Sequence, residues 1–360
     1  MDIHIPMQAI KGRGTPRRLT HRFASEDRQA FDDGWGSLPE ALAEAPAPRT
    51  RWVWEPARSA MAFNTSDDIG FDRSLNPYRG CEHGCSYCYA RPSHSYLGLS
   101  PGLDFETRLV AKQGLAERLR EELSRPAYRP AVLAIGTVTD AYQPLERELG
   151  LTREVLQVLH DCHHPMALVT KGSGVERDLD LLAPMAKRGL AAVYVTITTL
   201  DAALARRLEP RAPAPWRRLR TIEALARAGV PVGVSVAPQI PFLNEDMEQV
   251  LQAARDAGAQ SAFYTVLRLP WELAPLFREW LQQHHPQRAE RIMARIQDLR
   301  GGKDNDARIG QRMHGQGLWA DLLRQRFLKA CARLGLARRS LPLDVAQFRP
   351  PAPPGQGQLF

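Results

Sequence analysis

Between residues 131 and 266, short continuous apolar runs alternate with stretches of helical length whose apolar positions recur every three or four residues. The runs 131–138, 166–170, 191–198, 230–236 and 261–266 predict strands, and 149–162, 178–188, 216–228 and 245–257 predict the helices between them. Strands apolar on both faces are covered on both sides, and helices of this length return the chain to the same edge, so the sheet should be parallel. A further strand just before Cys81 brings the count to six, which favours a partial (β/α)6 barrel over a flat doubly wound sheet. In either arrangement a site sits at the carboxyl ends of the strands. Past residue 270 the strand signals stop. Residues 271–283, 288–299 and 318–334 predict helices joined by the charged, glycine-rich segment 300–308, placed to close the open side or bottom of the barrel.

The two ends of the chain lack this periodicity. Residues 1–50 carry the basic run Lys11-Gly-Arg-Gly-Thr-Pro-Arg-Arg18, then Asp32-Asp33 and a Pro/Ala stretch, and read as a mobile basic N-terminal arm or a lightly ordered wrap. Trp52 and Trp54 open the ordered part and are placed to staple the arm to the body. The expected divisions are the arm (1–50), the barrel (51–270), a C-terminal helical extension (271–344) and a Pro/Gly-rich disordered tail (345–360).

Composition narrows the class. At 360 residues and 44% hydrophobic content the chain can bury a sizeable core. It contains no apolar run of membrane-spanning length, and Met1-Asp-Ile-His-Ile-Pro6 lacks the order of a signal peptide, which predicts a cytoplasmic protein. The formal charge of +8 admits an acidic partner such as nucleic acid. Of the five cysteines, Cys162 and Cys331 are isolated in helical patterns and read as small buried hydrophobes.

The other three carry the chemistry. Cys81, Cys85 and Cys88 form C-x3-C-x2-C within Asn76-Pro-Tyr-Arg-Gly-Cys-Glu-His-Gly-Cys-Ser-Tyr-Cys-Tyr-Ala-Arg91. Three thiolates from one short loop suit a soft metal centre and leave a fourth position open. Gly80 and Gly84 let the backbone curl around it, and Tyr87 and Tyr89 flank the last cysteine. A structural zinc site completed by His83 or His94 uses the same ligand types.

At Cys81, Cys85, Tyr87 and Cys88 the chain resembles the radical S-adenosylmethionine (SAM) superfamily, whose signature is C-x3-C-x-aromatic-C. The resemblance implies a partial TIM-like (β/α)6 barrel in which the three cysteines hold a [4Fe–4S] cluster. It implies that the remaining iron chelates the amino and carboxylate groups of SAM, and that one-electron reduction releases methionine and a 5′-deoxyadenosyl radical. An electron donor such as flavodoxin or ferredoxin follows from the same resemblance.

The resemblance also suggests roles for polar residues at the strand ends. After the second strand, Thr139 and Asp140 fall where the methionine amino group is received, with Glu146 nearby; the alternative for Asp140 is a helix-capping turn. Lys171, after the third strand, offers a cation to the SAM carboxylate. Thr196 and Thr198 share a face at the end of the fourth strand and are placed to bond ribose or methionine. In the proline-stiffened loop 208–213, Glu209 and Arg211 are expected over the mouth, Arg211 competing with Lys171 for the carboxylate. Gln239 and Asn244 are candidate adenine contacts.

Tyr87-Cys-Tyr89, Thr139-Asp140 and Lys171 resemble the spore-photoproduct-lyase-like, or DNA-repair-photolyase-like, branch over roughly residues 64–270. Lyases of that branch carry a hydrogen-donor cysteine just before the Ser/Thr-Asp segment, where this chain has Thr137. A hydroxyl has a much stronger bond to hydrogen than a thiol, so spore photoproduct lyase activity is not expected. The last five residues, Gln356-Gly-Gln-Leu-Phe360, resemble the peptide by which bacterial repair proteins dock on the sliding clamp. The sequence therefore supports a radical SAM enzyme acting on nucleic acid or a nucleotide-like substrate. The alternatives are a radical SAM enzyme modifying a small molecule or protein, and a non-catalytic zinc-binding adaptor.

Overall fold

Six of the apolar segments become six neighbouring parallel strands. The computed structural model describes residues 10–24, 48–339 and 341–351. Its strands in chain order are β1 (Arg51–Pro56), β2 (Ala62–Phe63), β3 (Arg73–Leu75), β4 (Tyr78–Arg79), β5 (Arg108–Gln113), β6 (Leu133–Ile135), β7 (Met166–Thr170), β8 (Ala191–Thr196), β9 (Val232–Gln239) and β10 (Ser261–Val266). The main sheet runs β10-β9-β8-β7-β6-β3-β2; β3 to β10 pair in parallel, and β2 adds a short antiparallel edge. Every residue of β8 is buried, which explains its continuous apolar reading. The helices Leu151–Asp161, Leu179–Lys187, Pro215–Arg227 and Met247–Asp256 cover the sheet between successive strands.

The barrel is open, and the C-terminal part closes its β10 side. The Gly317–Leu334 helix places Leu323, Phe327 and Cys331 in the same core cluster as Tyr264 and Val266. Ala337 then pairs with the β10 edge, accepting the Ala262 N–H at 2.8 Å. Cys162 is likewise buried in the core. Among the described residues no helix is long and apolar enough to cross a membrane.

Three expectations change. First, β1, β5 and β4 form a separate three-stranded sheet that no periodicity announced. Most of β1 is exposed, and its partner strand lies far along the sequence. Trp52 and Trp54 belong to β1 and stack edge to face at 5.0 Å, rather than stapling an arm. Second, residues 10–24 are fastened to the body by ion pairs. Arg18 reaches Asp104 at 2.7 Å, Arg22 reaches Glu272 at 2.8 Å, Arg17 pairs with Glu279, and Thr15 is buried, so this part of the basic arm is not mobile. Residues 1–9 and 25–47 lie outside the described residues. Third, the tail is ordered at its start: Phe348 packs against Tyr128 and His164 at 5.4 Å from each ring. Gln356–Phe360 lies outside the described residues.

That aromatic cluster gives a pH prediction. His164 is buried, its Nδ1–H donates to the Pro165 carbonyl at 3.0 Å, and its Nε2 accepts from the Tyr128 hydroxyl at 2.6 Å, an arrangement that requires the neutral ring. Burial lowers its pKa from 6.5 to about 4. The unfolded chain therefore binds the extra proton between those values, and stability falls as pH drops from 6.5 to 4. Denaturant titrations of wild type and His164→Gln should show this slope flattened in the variant; parallel slopes would remove His164 as its source.

Candidate active site

The cysteine loop leaves β4 and lies across the carboxyl ends of the strands, held by its own turns and by neighbours. The Cys81 N–H donates to the Phe105 carbonyl at 2.9 Å and the Ser86 N–H to the Leu208 carbonyl at 2.9 Å. Gly80 has φ +79°, and a Cβ there would meet Leu109, His94 and the Phe105 carbonyl within 2.8 Å, so only glycine fits the turn. Arg91 is fully buried. Its Nε donates to the Cys85 carbonyl at 2.8 Å and its guanidinium pairs with Glu106 at 2.5 Å. Glu106 also accepts the Gly14 N–H at 3.0 Å, so the N-terminal stretch is latched to the outer side of the loop.

The strand ends hold the loop from below. The Thr139 hydroxyl donates to the Gly80 carbonyl at 2.7 Å, and Gln143 Oε1 accepts the Glu82 N–H at 2.8 Å. Asp140 accepts from the Thr170 hydroxyl at 2.6 Å, the Lys171 N–H at 2.7 Å and the Tyr142 N–H at 2.9 Å, with His83 Nδ1 3.3 Å away. Burial opposes its charge, but His83 and the three donors outweigh burial and hold it well below the usual carboxylate range. Asp140 thus ties β6, β7 and the cysteine loop together. It is neither a helix cap nor a free acceptor.

Beneath Tyr87 lies a buried network. The Tyr87 hydroxyl donates to Glu209 and lies 3.0 Å from the Thr198 hydroxyl, which donates to Glu209 at 2.6 Å. Arg218 pairs with Glu209 and donates to the Thr196 carbonyl at 3.1 Å. Glu209 is therefore inside the barrel top, not over the mouth, and Thr198 is already engaged. Arg211 is committed as well: it pairs with Glu82 at 3.0 Å and donates to the Thr50 hydroxyl at 3.1 Å, which removes it as a partner for an anion. Asn244 is spent on its own loop, donating to the Thr198 and Pro238 carbonyls at 2.8 and 2.9 Å. Gln239 is buried and donates to the Val236 carbonyl at 3.1 Å. Glu146 accepts from the Tyr78 hydroxyl and pairs with Arg177, away from the thiols.

Two of the sequence-derived candidates keep free chemistry near the cysteines. The Lys171 ammonium makes no hydrogen bond among the described residues and sits 5.8 Å over the Tyr87 ring. Burial works against its charge, yet Cys85 and Glu209 overcome this and raise its pKa. Thr196 ends β8 with a buried side chain on the same sheet edge. Tyr89 is 45% exposed, donates to the Thr137 carbonyl and carries Arg268 over its ring at 4.9 Å.

Cys81 and Cys85 are buried and all three thiols are free. Burial pushes Cys85 up to about 12 and Cys81 well above its usual value, so metal binding would release protons from these two thiols. Among the described residues no three His, Cys, Asp or Glu side chains converge on a point that one ion could share. A zinc ion would need all its sulfurs about 2.3 Å from one point, whereas a cluster takes each thiolate on a different iron. Of the two histidines, His94 Nε2 meets the Arg108 carbonyl at 2.9 Å, and His83 Nδ1 lies 3.3 Å from Asp140. Three thiols on one loop are a donor set that fits an iron–sulfur cluster.

The family model for the Radical SAM superfamily matches residues 75–255. The chain belongs to the radical SAM superfamily. An uncharacterized protein of Mycobacterium tuberculosis is 38% identical over 226 residues, which is 62% of this chain and 66% of that relative. The chain thus spans just under two thirds of that relative's length. An uncharacterized protein of Methanocaldococcus jannaschii is 26% identical over 235 residues, 65% of this chain and 85% of the relative. A solved spore photoproduct lyase complexed with dinucleoside spore photoproduct shares this radical SAM fold, with a TM-score of 0.56 over 80% of this chain and 81% of that one at 17% identity.

Sequence reasoning missed Gln143, Arg91, Glu106 and Arg218, all buried and all fastening the radical SAM loop or the network below it. No local pattern marks them, because their burial and their partners are set by the fold and not by spacing.

Proposed function

We propose that the chain is a radical SAM enzyme in which Cys81, Cys85 and Cys88 hold a [4Fe–4S] cluster, Lys171 receives the SAM carboxylate, and the substrate is a nucleic acid or a nucleotide-like molecule. The observation that carries the first part is the latched three-thiol loop at the carboxyl ends of the strands with the uncommitted Lys171 ammonium beside it. When bound, the cluster supplies the electron that cleaves SAM to methionine and a 5′-deoxyadenosyl radical. The chain's own part is to orient and to enclose. Thr139, Asp140 and Gln143 position the loop, Lys171 holds an anion, and the Tyr87 ring with the network beneath it walls the site from water. Flavodoxin or ferredoxin fits as electron donor.

Support for the substrate class comes from exposed aromatic rings that carry arginines. Arg268 stacks on Tyr89, and the Arg22 guanidinium lies 4.6, 5.1 and 4.5 Å from the ring centres of Phe23, Tyr96 and Trp271. All four of these rings are exposed. Exposed aromatics interleaved with arginine form stacking surfaces for unpaired bases. The neighbour's photoproduct lyase reaction is not carried over: Thr137 accepts from Asn76 at 3.2 Å and supplies a hydroxyl in place of a thiol.

Anaerobic reconstitution should give about four irons per chain with matching sulfide and SAM-dependent 5′-deoxyadenosine. Single-stranded DNA binding should weaken with salt, and Trp271→Ala should weaken it about tenfold, the effect of losing one stacked base at roughly 1–3 kcal/mol. Unchanged DNA affinity in Trp271→Ala would turn the substrate reading toward a small molecule or protein.

A further inference from the structure

A second recess opens beside the cysteine loop, separate from the site above. It is a cavity of about 160 Å³, walled on one side by residues 10–16 and on the other by Arg206, Arg207 and Pro210 with Gln283 and His284. Such space exceeds many times the roughly 10–15 Å³ that one water needs. The lining carries four cations, Lys11, Arg13, Arg206 and Arg207, and no Asp or Glu.

None of these cations is neutralised there. Among the described residues Lys11, Arg206 and Arg207 make no ion pair, and Arg207 Nε is buried without a hydrogen-bond partner. Arg13 spends its guanidinium on the Glu106 and Pro48 carbonyls at 3.1 and 2.6 Å and on the Thr50 hydroxyl, not on a carboxylate. The acids closest by are committed: Glu106 to Arg91 and Gly14, Glu82 to Arg211, Glu279 to Arg17. The positive field is felt by its neighbours. Burial and then Arg207 lower the pKa of His284 and of His285, and burial and then Arg211 lower that of Arg13. A concave surface that gathers like charges and leaves a buried guanidinium donor unused is complementary to a multivalent oxyanion.

We propose that this recess binds a tetrahedral oxyanion of the phosphate class, bridging the 10–16 strap to Arg206 and Arg207. The strap that walls the recess also rests on the cysteine loop: a Cβ on Gly14 would fall 1.7 Å from the Gly84 carbonyl oxygen. An anion in the recess therefore pins the strap against the loop. The phosphate is either a phosphodiester of a polynucleotide or a free phosphate, and the two are separable by experiment. The assignment stands on the recess alone and does not require the substrate proposed above.

Inorganic phosphate is titrated into the full chain by calorimetry, with chloride at matched ionic strength as the control, and backbone hydrogen exchange is followed at residues 10–16. Saturable binding with added protection of 10–16 is expected, weakened at least tenfold in Arg207→Gln and in Lys11→Gln and preserved in Arg227→Gln, a surface arginine of the Pro215–Arg227 helix. Lys11→Gln alters an exposed side chain and keeps the test standing if Arg207→Gln fails to fold. Displacement of phosphate by a short single-stranded oligonucleotide identifies the polynucleotide backbone as the source; binding without displacement identifies free phosphate. Phosphate that performs no better than chloride, or variants that bind it as wild type does, overturns the proposal.

Discussion

Cys85→Ser is expected to leave the anaerobically reconstituted chain nearly colourless, with iron far below the about four per chain expected of the wild type and SAM cleavage lowered more than about 100-fold. The bound is set by the 10- to 100-fold losses that follow removal of groups merely supporting a metal ligand; removal of the ligand itself exceeds them. The substitution is close to isosteric. The Cys85 carbonyl, not its side chain, is what Arg91 holds, so the loop keeps its path. The defect should therefore appear in iron, sulfide and visible absorption while thermal unfolding of the metal-free protein stays near wild type. A variant that retains full iron and sulfide content would remove Cys85 as a ligand.

Arg218→Met is expected to cost about 3–5 kcal/mol of stability at pH 7, the usual penalty for stranding one member of a buried ion pair. Both side chains are essentially inaccessible, and Arg218 also serves the Pro213 carbonyl at 2.8 Å and the Thr196 carbonyl at 3.1 Å. In the wild type, burial opposes the Glu209 charge, but Arg218 and Lys171 lower its pKa from 4.5 to about 2. A depressed carboxylate stabilises the fold above its unfolded pKa and loses that contribution as pH falls toward 2. Without Arg218 the folded pKa of Glu209 is less depressed, so the deficit relative to wild type shrinks on acidification. Adding Glu209→Gln should restore part of the loss at pH 7 and abolish this pH dependence. Urea titrations at pH 7 and 5 decide the matter: equal stability of Arg218→Met and wild type at pH 7 would mean that the pair contributes nothing net.

These expectations rest on features of unequal visibility. The strands β6 to β10 were readable because a parallel strand covered on both faces is apolar at every position, a signal confined to a few consecutive residues. Their ends were less so. The run 131–138 stops being a strand after Ile135, because Gly136 turns at φ +82° where a Cβ would lie 2.5 Å from the Val169 carbonyl. The sheet β1-β5-β4 was invisible, since β1 is largely exposed and its partner follows some fifty residues later.

The site divides in the same way. Cys81, Cys85 and Cys88 fall within eight residues, so their shared chemistry is a local property that any fold presenting this loop would keep. Lys171 was legible as a cation at a strand end, and the structure leaves its ammonium uncommitted. Arg211 and Glu209 were misjudged for one reason: a charge in a loop is free or spent according to what the fold brings beside it, here Glu82 and Arg218. The amino-acid sequence by itself determined the thiol loop, the parallel apolar strands and the order of helices, because each is encoded by neighbours in the chain. Only the tertiary structure decided which acids and bases neutralise one another, how the N-terminal strap is latched by Glu106, and where four cations line one recess, because Coulomb partners are chosen by distance in space and not by separation along the chain.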